Sequence, residues 1–222
     1  LKDNDVPLSE QVVEGPAAEV IEAVCRQMGI DFSLKLLPWR RAQYDTREAG
    51  MYHGLFLIGW NKTRTEWLYY SPPILETEYG FFVHQNNELA YSKPEDIKGY
   101  RVGVFGPSNT SNSLKKIHAE MGDFKIDMRP DDLSGFKKLS IGRVEAVYSN
   151  KDVGFAIIKS LGLTNIRYSG RHRKLNYYIG FAKQNIDKSV VDRFSQAFIE
   201  LHQQGTVETI LNQYNMTPAS GF

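Results

Sequence analysis

The chain has 222 residues, 41% of them hydrophobic, enough for one sizeable domain or two small lobes. Lys plus Arg (27) nearly balances Asp plus Glu (26), and a formal charge of +1 excludes the basic excess of a nucleic-acid surface while leaving small-molecule binding open. The single cysteine excludes an internal disulfide, and no stretch approaches the roughly 18 consecutive apolar residues that span a bilayer.

The opening LKDNDVPLSE has no apolar segment of the signal-peptide kind, so an exported protein is represented here in processed or truncated form. GPAAEVIEAVCRQMG (15–29) predicts a helix, with Pro16 near its start, Gly29 at its end, and Val20, Ile21, Val24, Cys25 and Met28 on one face. On that stripe Cys25 reads as a small core hydrophobe rather than a reactive thiol. IDFSLKLLP (30–38) alternates like a strand, and WRRAQYDTREAG (39–50) predicts a short helix closed by glycine. MYHGLFLIG (51–59) is an apolar strand of the kind buried on both faces of a parallel sheet, with His53 as a satisfied core histidine. The polar stretch WNKTR leaves the end of that strand and sets one fixed charge, Arg64, ahead of the aromatic segment WLYYSPP.

TEYGFFVHQ (77–85) is the next strand, KPEDIKG (93–99) a helical turn, YRVGVFG (100–106) a strand and SNSLKKIHAEMG (111–122) a helix. FKIDMR (124–129), DLSGFKKLSIGR (132–143), VEAVYS (144–149), KDVGFAIIKSLG (151–162) and TNIRYS (164–169) continue the alternation, which implies a parallel sheet with helices on both faces. RHRK (171–174) reads as a solvated turn before a further strand, NYYIGFAKQ (176–184). Two helices close the chain, 187–205 and 206–214. Ligands of open α/β sheets bind beyond the carboxyl ends of strands. WNKTR, the loop GPSNTSNS and Asn150 all stand at such ends, and the helix start in the second offers unpaired N–H groups to an anion. The expectation is that these loops face one cleft.

GPAAEVIEAVCRQMGIDFSLKLLPWRRA followed by GLFLIGWNKTRTEWLYYSPPI resembles the polar amino-acid-binding family of periplasmic solute-binding proteins (family 3, the substrate-binding components of ABC transporters). KPEDIKGYRVGVFGPSNTS resembles the family's second signature and GRVEAVYSNKDV its third, in the family's order. The resemblance implies the type II periplasmic binding protein fold: two Rossmann-like α/β lobes with mainly parallel sheets, joined by two crossing hinge strands. Lobe 1 would be 1–84 and 180–222, and lobe 2 would be 85–179. A small polar solute, an amino acid or related carboxylate, would sit between the lobes and be buried by hinge closure. The implied setting is periplasmic, with a membrane permease as partner, the chain a monomer, and no nucleic acid, metal or cofactor involved. A ligand-sensing domain of a membrane receptor is the alternative on the same fold.

Arg64 matches the family arginine that grips the ligand's carboxylate, a role suited to a guanidinium fork. Trp39 and Trp60 are the stacking surfaces, Gly59 offers its backbone, and Ser108, Asn109 and Thr110 overlap the family's Gly-Thr-Thr loop. Asn150 stands where the family usually has an ammonium-binding aspartate. An amide in place of the carboxylate lowers the strength of a hydrogen bond to a cation from ~1.5–3 to ~1 kcal/mol, about tenfold in affinity. Leu57 and Gly59 replace serines, the DNDVPL region lacks the family's N-terminal aromatic, and LKDNDVPLSE starts too late to supply the family's first strand.

An enzyme is disfavoured: there is no GxSxG, P-loop, HExxH or CxxC motif, and His53, His84, His118, His172 and His202 lack metal-ligand spacing. Glu66 or Glu76 could serve a dehydratase-like reading as an acid near the expected cleft, but any surface loop offers as much. A transcription regulator would need a DNA-binding segment, and neither end of the chain supplies one.

Overall fold

A computed structural model describes residues 13–220, which form two compact units. Unit 1 takes the described chain up to Glu76 and again from Asn176, and unit 2 is Thr77–Leu175. The chain passes between them inside two strands, β3 (Leu75–His84) and β7 (Ile166–Ala182). The expectations about the first strand and the N-terminal aromatic fall on residues 1–12, outside the described residues.

In unit 1, helix α1 (Pro16–Met28) starts with a proline where a missing N–H has no cost, and ends at Gly29 in the left-handed region (φ 65°). Its stripe of Val20, Ile21, Val24 and Cys25 packs with Val191, Phe194, Phe198 and Leu201 of α7 (Lys188–Gln203) and with Val207 and Leu211 of α8 (Thr206–Gln213). Burial pushes the Cys25 thiol up, which suppresses the thiolate and fits the core role. Strands β1 (Gly54–Gly59) and β2 (Leu68–Tyr70) both pair antiparallel with β7, and the start of β3 pairs with the short β8 (Thr217–Pro218).

Three expectations are corrected in this unit. Among the described residues the apolar strand at 51–59 has no parallel neighbour; its partner is the returning C-terminal strand, paired antiparallel. His53 precedes β1 and is exposed instead of sitting in the core. Residues 30–38 form no strand: among the described residues none pairs with them, and Phe32 and Leu36 are 43% and 37% exposed. Alternation sets which face of a strand would be apolar, but a ladder also needs a neighbour to take its backbone groups.

Unit 2 carries the β-α alternation read from the sequence. Its strands lie in the order β7-β3-β6-β4-β5, where β4 (Arg101–Phe105) pairs in parallel with β5 (Lys125–Arg129) and β6 (Ala146–Asn150). The pairing of β3 with β6 is antiparallel. Neighbouring residues point to opposite faces of this sheet: Phe81 and Tyr148 pack with Leu114 and Ile117 of α4 (Asn109–Met121), whereas Phe82 and Val147 pack with Phe136 and Leu139 of α5 (Asp132–Ser140). On the first face the buried Tyr148 hydroxyl bridges Ser113 Oγ (2.9 Å) and His172 Nδ1 (2.7 Å). Burial raises the Tyr148 pKa and lowers that of His172, so both groups are held neutral.

RHRK is strand rather than turn, since β7 runs without interruption through it. Glu78 on β3 partners one of the cations there, Arg171, together with Lys151 and with Tyr168 of β7. It takes Lys151 Nζ at 3.1 Å, Arg171 Nη1 at 3.6 Å and the Tyr168 hydroxyl at 3.0 Å. Burial alone would push the Glu78 carboxyl up; these partners outweigh it and hold the pKa below the usual value.

Two consequences can be measured. Gly154 lies in α6 (Lys151–Leu161), where a Cβ would come 2.3 Å from Cζ of Phe82, a fully buried ring. Alanine gains up to ~1 kcal/mol over glycine in a helix, but overpacking costs ~1–3 kcal/mol. Gly154→Ala is therefore expected to lower the melting temperature, with a net loss of about 1–2 kcal/mol in urea unfolding. Asp132, the first residue of α5, has its pKa raised by burial from 3.8 to about 6; a 3.4 Å hydrogen bond from Ser149 opposes the rise and the Asp131 charge adds to it. A raised folded pKa gives stability that is fully present below the unfolded value and lost as pH rises through the folded one. Asp132→Asn should thus be more stable than wild type by about 2 kcal/mol at pH 7.5, after allowing for the helix N-terminus that favours the charge, and no more stable at pH 4. Thermal unfolding at the two pH values reads this directly.

Candidate functional site

In unit 1 the segment N-K-T-R builds its own one-turn helix, α3 (Lys62–Thr65). Asn61, in extended conformation, caps it by accepting the Arg64 N–H on Oδ1 at 2.8 Å. That turn sends the Arg64 side chain back over the end of β1, where Nη1 donates to the Gly59 carbonyl at 2.8 Å. The guanidinium carbon also lies 5.1 Å from the ring centroid of Trp39, the first residue of α2 (Trp39–Arg47). Arg64 is only 8% exposed. Just upstream β1 carries a bulge between Phe56 and Ile58, with Leu57 in the left-handed region (φ 30°), a conformation that costs a non-glycine residue ~1–2 kcal/mol. The bulge re-aims the last residues of β1, which is how Gly59 comes to offer its carbonyl to Arg64.

Tyr70, on β2, completes this cluster. Its ring is held edge-on against Tyr178 (centroids 5.4 Å apart). Its hydroxyl oxygen is buried with two donors beside it, the Arg64 guanidinium and the Asn61 N–H, and no acceptor stands within hydrogen-bond distance for its own proton. Burial raises the Tyr70 pKa, with the Asn61 N–H and Arg64 pulling the other way, so the phenol keeps its proton at neutral pH. Reading the sequence did not single out Tyr70; the only signal was its place in the aromatic-Ser-x-Pro segment.

In unit 2 the loop after β4 is tight. A Cβ on Gly106 would meet Met128 Sδ at 2.4 Å and Ser111 Oγ at 2.7 Å, so only glycine fits. Ser108 then caps α4: Oγ accepts the Ser111 N–H at 3.1 Å, and Ser111 Oγ accepts the Ser108 N–H at 2.9 Å. Asn109 and Thr110 occupy the first turn of α4 and are half-buried. Asn150 ends β6 and caps α6, accepting the Val153 N–H on Oδ1 at 3.0 Å. Its Nδ2 donates to Thr77 Oγ1 at 2.8 Å, and that hydroxyl donates to Asp152 Oδ2 at 2.6 Å. Asn150, 4% exposed, thereby ties β3 to the start of α6, a structural duty that the sequence did not reveal.

Of the residues singled out in the sequence, Trp39, Gly59 and Arg64 come together in unit 1, whereas the Trp60 indole is 56% exposed and takes no part in that cluster. In unit 2, Ser108, Asn109 and Thr110 stand at the C-terminal end of β4, and Asn150 at that of its parallel neighbour β6. A buried guanidinium held by the Gly59 carbonyl and the Trp39 ring, beside a phenolic O–H, has the donor chemistry that suits a carboxylate or similar planar anion. Among the described residues no group of three or more His, Cys, Asp or Glu side chains is placed to hold a metal ion, and no helix is long and apolar enough to cross a membrane.

Residues 5–217 match the model of the bacterial extracellular solute-binding proteins, family 3. No curated protein matches the chain. Among solved structures, a histidine kinase sensor domain with similarity to periplasmic binding proteins aligns over 98% of this chain and 95% of that one, with 20% identity and a TM-score of 0.82. An ancestral arginine-binding protein bound to arginine aligns over 90% and 87%, with 21% identity and a TM-score of 0.78. The amino acid ABC transporter substrate-binding protein AbpA from Streptococcus pneumoniae, bound to L-arginine, aligns over 94% and 86%, with 13% identity and a TM-score of 0.76. At these identities the structural likeness establishes the fold, the two-unit α/β architecture of the type II periplasmic binding proteins. The family match, running over nearly the whole chain, establishes more: this protein belongs to the bacterial extracellular solute-binding proteins, family 3.

Proposed function

We propose that the chain captures a small carboxylate-bearing solute, an amino acid in the first instance, outside the cytoplasm and hands it to the membrane permease of an ABC transporter. Arg64 is the carboxylate clamp in this reading, and its burial at the end of β1, under Trp39 and against the Gly59 carbonyl, is the observation that carries it. A guanidinium held this way is pre-organised: its orientation is set before the solute arrives, so less side-chain entropy is lost on binding. Ser108, Asn109 and Thr110 at the head of α4 contribute hydroxyl, amide and backbone donors. Asn150, a neutral amide at the end of β6, meets an ammonium more weakly than the family's usual aspartate. Trp60 serves as an exposed aromatic surface for the solute's side chain. The structural relatives bound to arginine support an amino acid as solute. The assignment is to a periplasmic, monomeric binding protein with no catalytic step, metal or cofactor.

A second reading has a specific observation behind it. The sensor domain of a histidine kinase covers 98% of this chain, so the same capture chemistry serves equally well as the input of a membrane receptor. The clamp is common to both readings.

Binding of a solute to the folded form alone raises the melting temperature by mass action. Screened against the L-amino acids and small carboxylates, the wild-type chain is expected to show such a rise, confirmed by calorimetry. Arg64→Ala should weaken that binding by at least about 30-fold, the effect of removing a buried charged hydrogen-bond partner worth ~2 kcal/mol or more. Unchanged affinity in Arg64→Ala would remove the clamp assignment.

A further inference from the structure

Tyr70 poses a problem that packing does not solve. Its ring belongs to an apolar cluster with Leu55, Ile58 and Leu68 of the flanking strands and Trp39, Ala42 and Trp67. Phenylalanine would fill that place equally well. Tyrosine instead buries a hydroxyl whose oxygen faces two donors, a guanidinium and a backbone N–H, and whose proton has no acceptor. Leaving a buried hydroxyl unsatisfied is costly. The edge-on contact with Tyr178 restrains the ring from turning the hydroxyl elsewhere. A phenolic proton set among other donors needs an acceptor brought from outside, and an anionic oxygen answers that need.

We propose that Tyr70 is a ligand contact: its hydroxyl donates to the solute carboxylate held by Arg64 and so selects for solutes that carry that group. This rests on the reading of Arg64 as the clamp. A carboxylate has lone pairs enough to take the Arg64 fork and a third bond from Tyr70 Oη at once. A solute lacking the carboxylate leaves the buried Tyr70 proton without an acceptor, and so is rejected by more than the loss of its charge pair with Arg64. The arrangement trades stability of the empty protein for selectivity in binding.

That trade gives two effects of opposite sign from one substitution. Tyr70→Phe removes the hydroxyl and keeps the ring. The empty variant should melt at the same temperature as wild type or higher, while its Kd for whichever L-amino acid binds wild type most tightly should rise about tenfold. The probes are the L-amino acids and the amines left when their carboxylates are removed, tested by calorimetry on wild type, Tyr70→Phe and Arg64→Ala. Discrimination between each amino acid and its amine should shrink in Tyr70→Phe. If Arg64→Ala loses binding while Tyr70→Phe keeps wild-type Kd, the Tyr70 proposal fails alone. A fall in both melting temperature and affinity in Tyr70→Phe means that the hydroxyl supports the fold, and overturns it too. If wild type binds amines as well as amino acids, binds neither, or keeps its affinity in Arg64→Ala, the clamp reading fails and takes Tyr70 with it.

Discussion

The buried guanidinium of Arg64 is the constraint around which the end of β1 is built. A charge taken out of water at 8% exposure needs its hydrogen bonds supplied by the protein, or the fold loses several kcal/mol. Here the supply is local and backbone-based: the Gly59 carbonyl, five residues upstream, takes one N–H, and the Trp39 face covers the cation. Both depend on the chain turning back sharply after β1, and the turn depends in part on the Asn61 cap. The bulge at Leu57 belongs to the same account. A leucine in left-handed conformation is tolerated where the strand must be re-aimed, and here it leads directly into the segment that holds the charge.

Unit 2 uses the same device, a strand end that becomes a helix cap, with neutral groups. Ser108 and Asn150 both accept an N–H from the third residue of the helix that follows. At Asn150 the amide's second function differs from anything a carboxylate can do. Nδ2 donates to Thr77 Oγ1, freeing that hydroxyl's proton for Asp152. An aspartate at this position would face the Thr77 oxygen as an acceptor, the hydroxyl could satisfy only one of two carboxylates, and Asp152 would stand close to a second negative charge. The asparagine and Asp152 therefore go together: with a carboxylate already in the first turn of α6, a neutral donor at the cap is what keeps β3 tied to that helix. On this account the region keeps a carboxylate, two residues beyond the capping position.

Much of this was legible in the residues. Helices punctuated by proline and glycine, such as α1, stand close to where their spacing put them, because a stop signal and an apolar stripe are both local properties. The parallel β4-β5-β6 ladder followed from strand-helix alternation, which leaves few ways to cover both faces of a sheet. What escaped was non-local. Residues 30–38 have a strand's alternation, but pairing depends on a partner elsewhere in the chain. RHRK looks like a turn because its charges look solvated; Glu78 of β3, about ninety residues earlier, gives one of them, Arg171, a partner. Likewise Arg64 could be placed at a strand end from the sequence, whereas its burial could not, since burial came from Trp39 and the turn at Asn61.

The contrast between Asn150 and Tyr70 shows how polar side chains in such a site should be weighed. Asn150 was singled out because it replaces a residue of known use, yet both ends of its amide are engaged within unit 2, and its position is explained without a ligand. Tyr70 drew no notice in the sequence, yet among the described residues its hydroxyl is one of a few buried polar groups left without an acceptor, and the one that lies beside Arg64. Structural selection alone removes a buried hydroxyl with nothing to bond, since the corresponding phenylalanine is at least as stable. It persists only if something repays it in another state of the molecule, and for a protein that exists empty and loaded the second state is the natural place to look. A site residue is then recognised less by which polar group it carries than by whether the empty protein has already spent that group's hydrogen bonds.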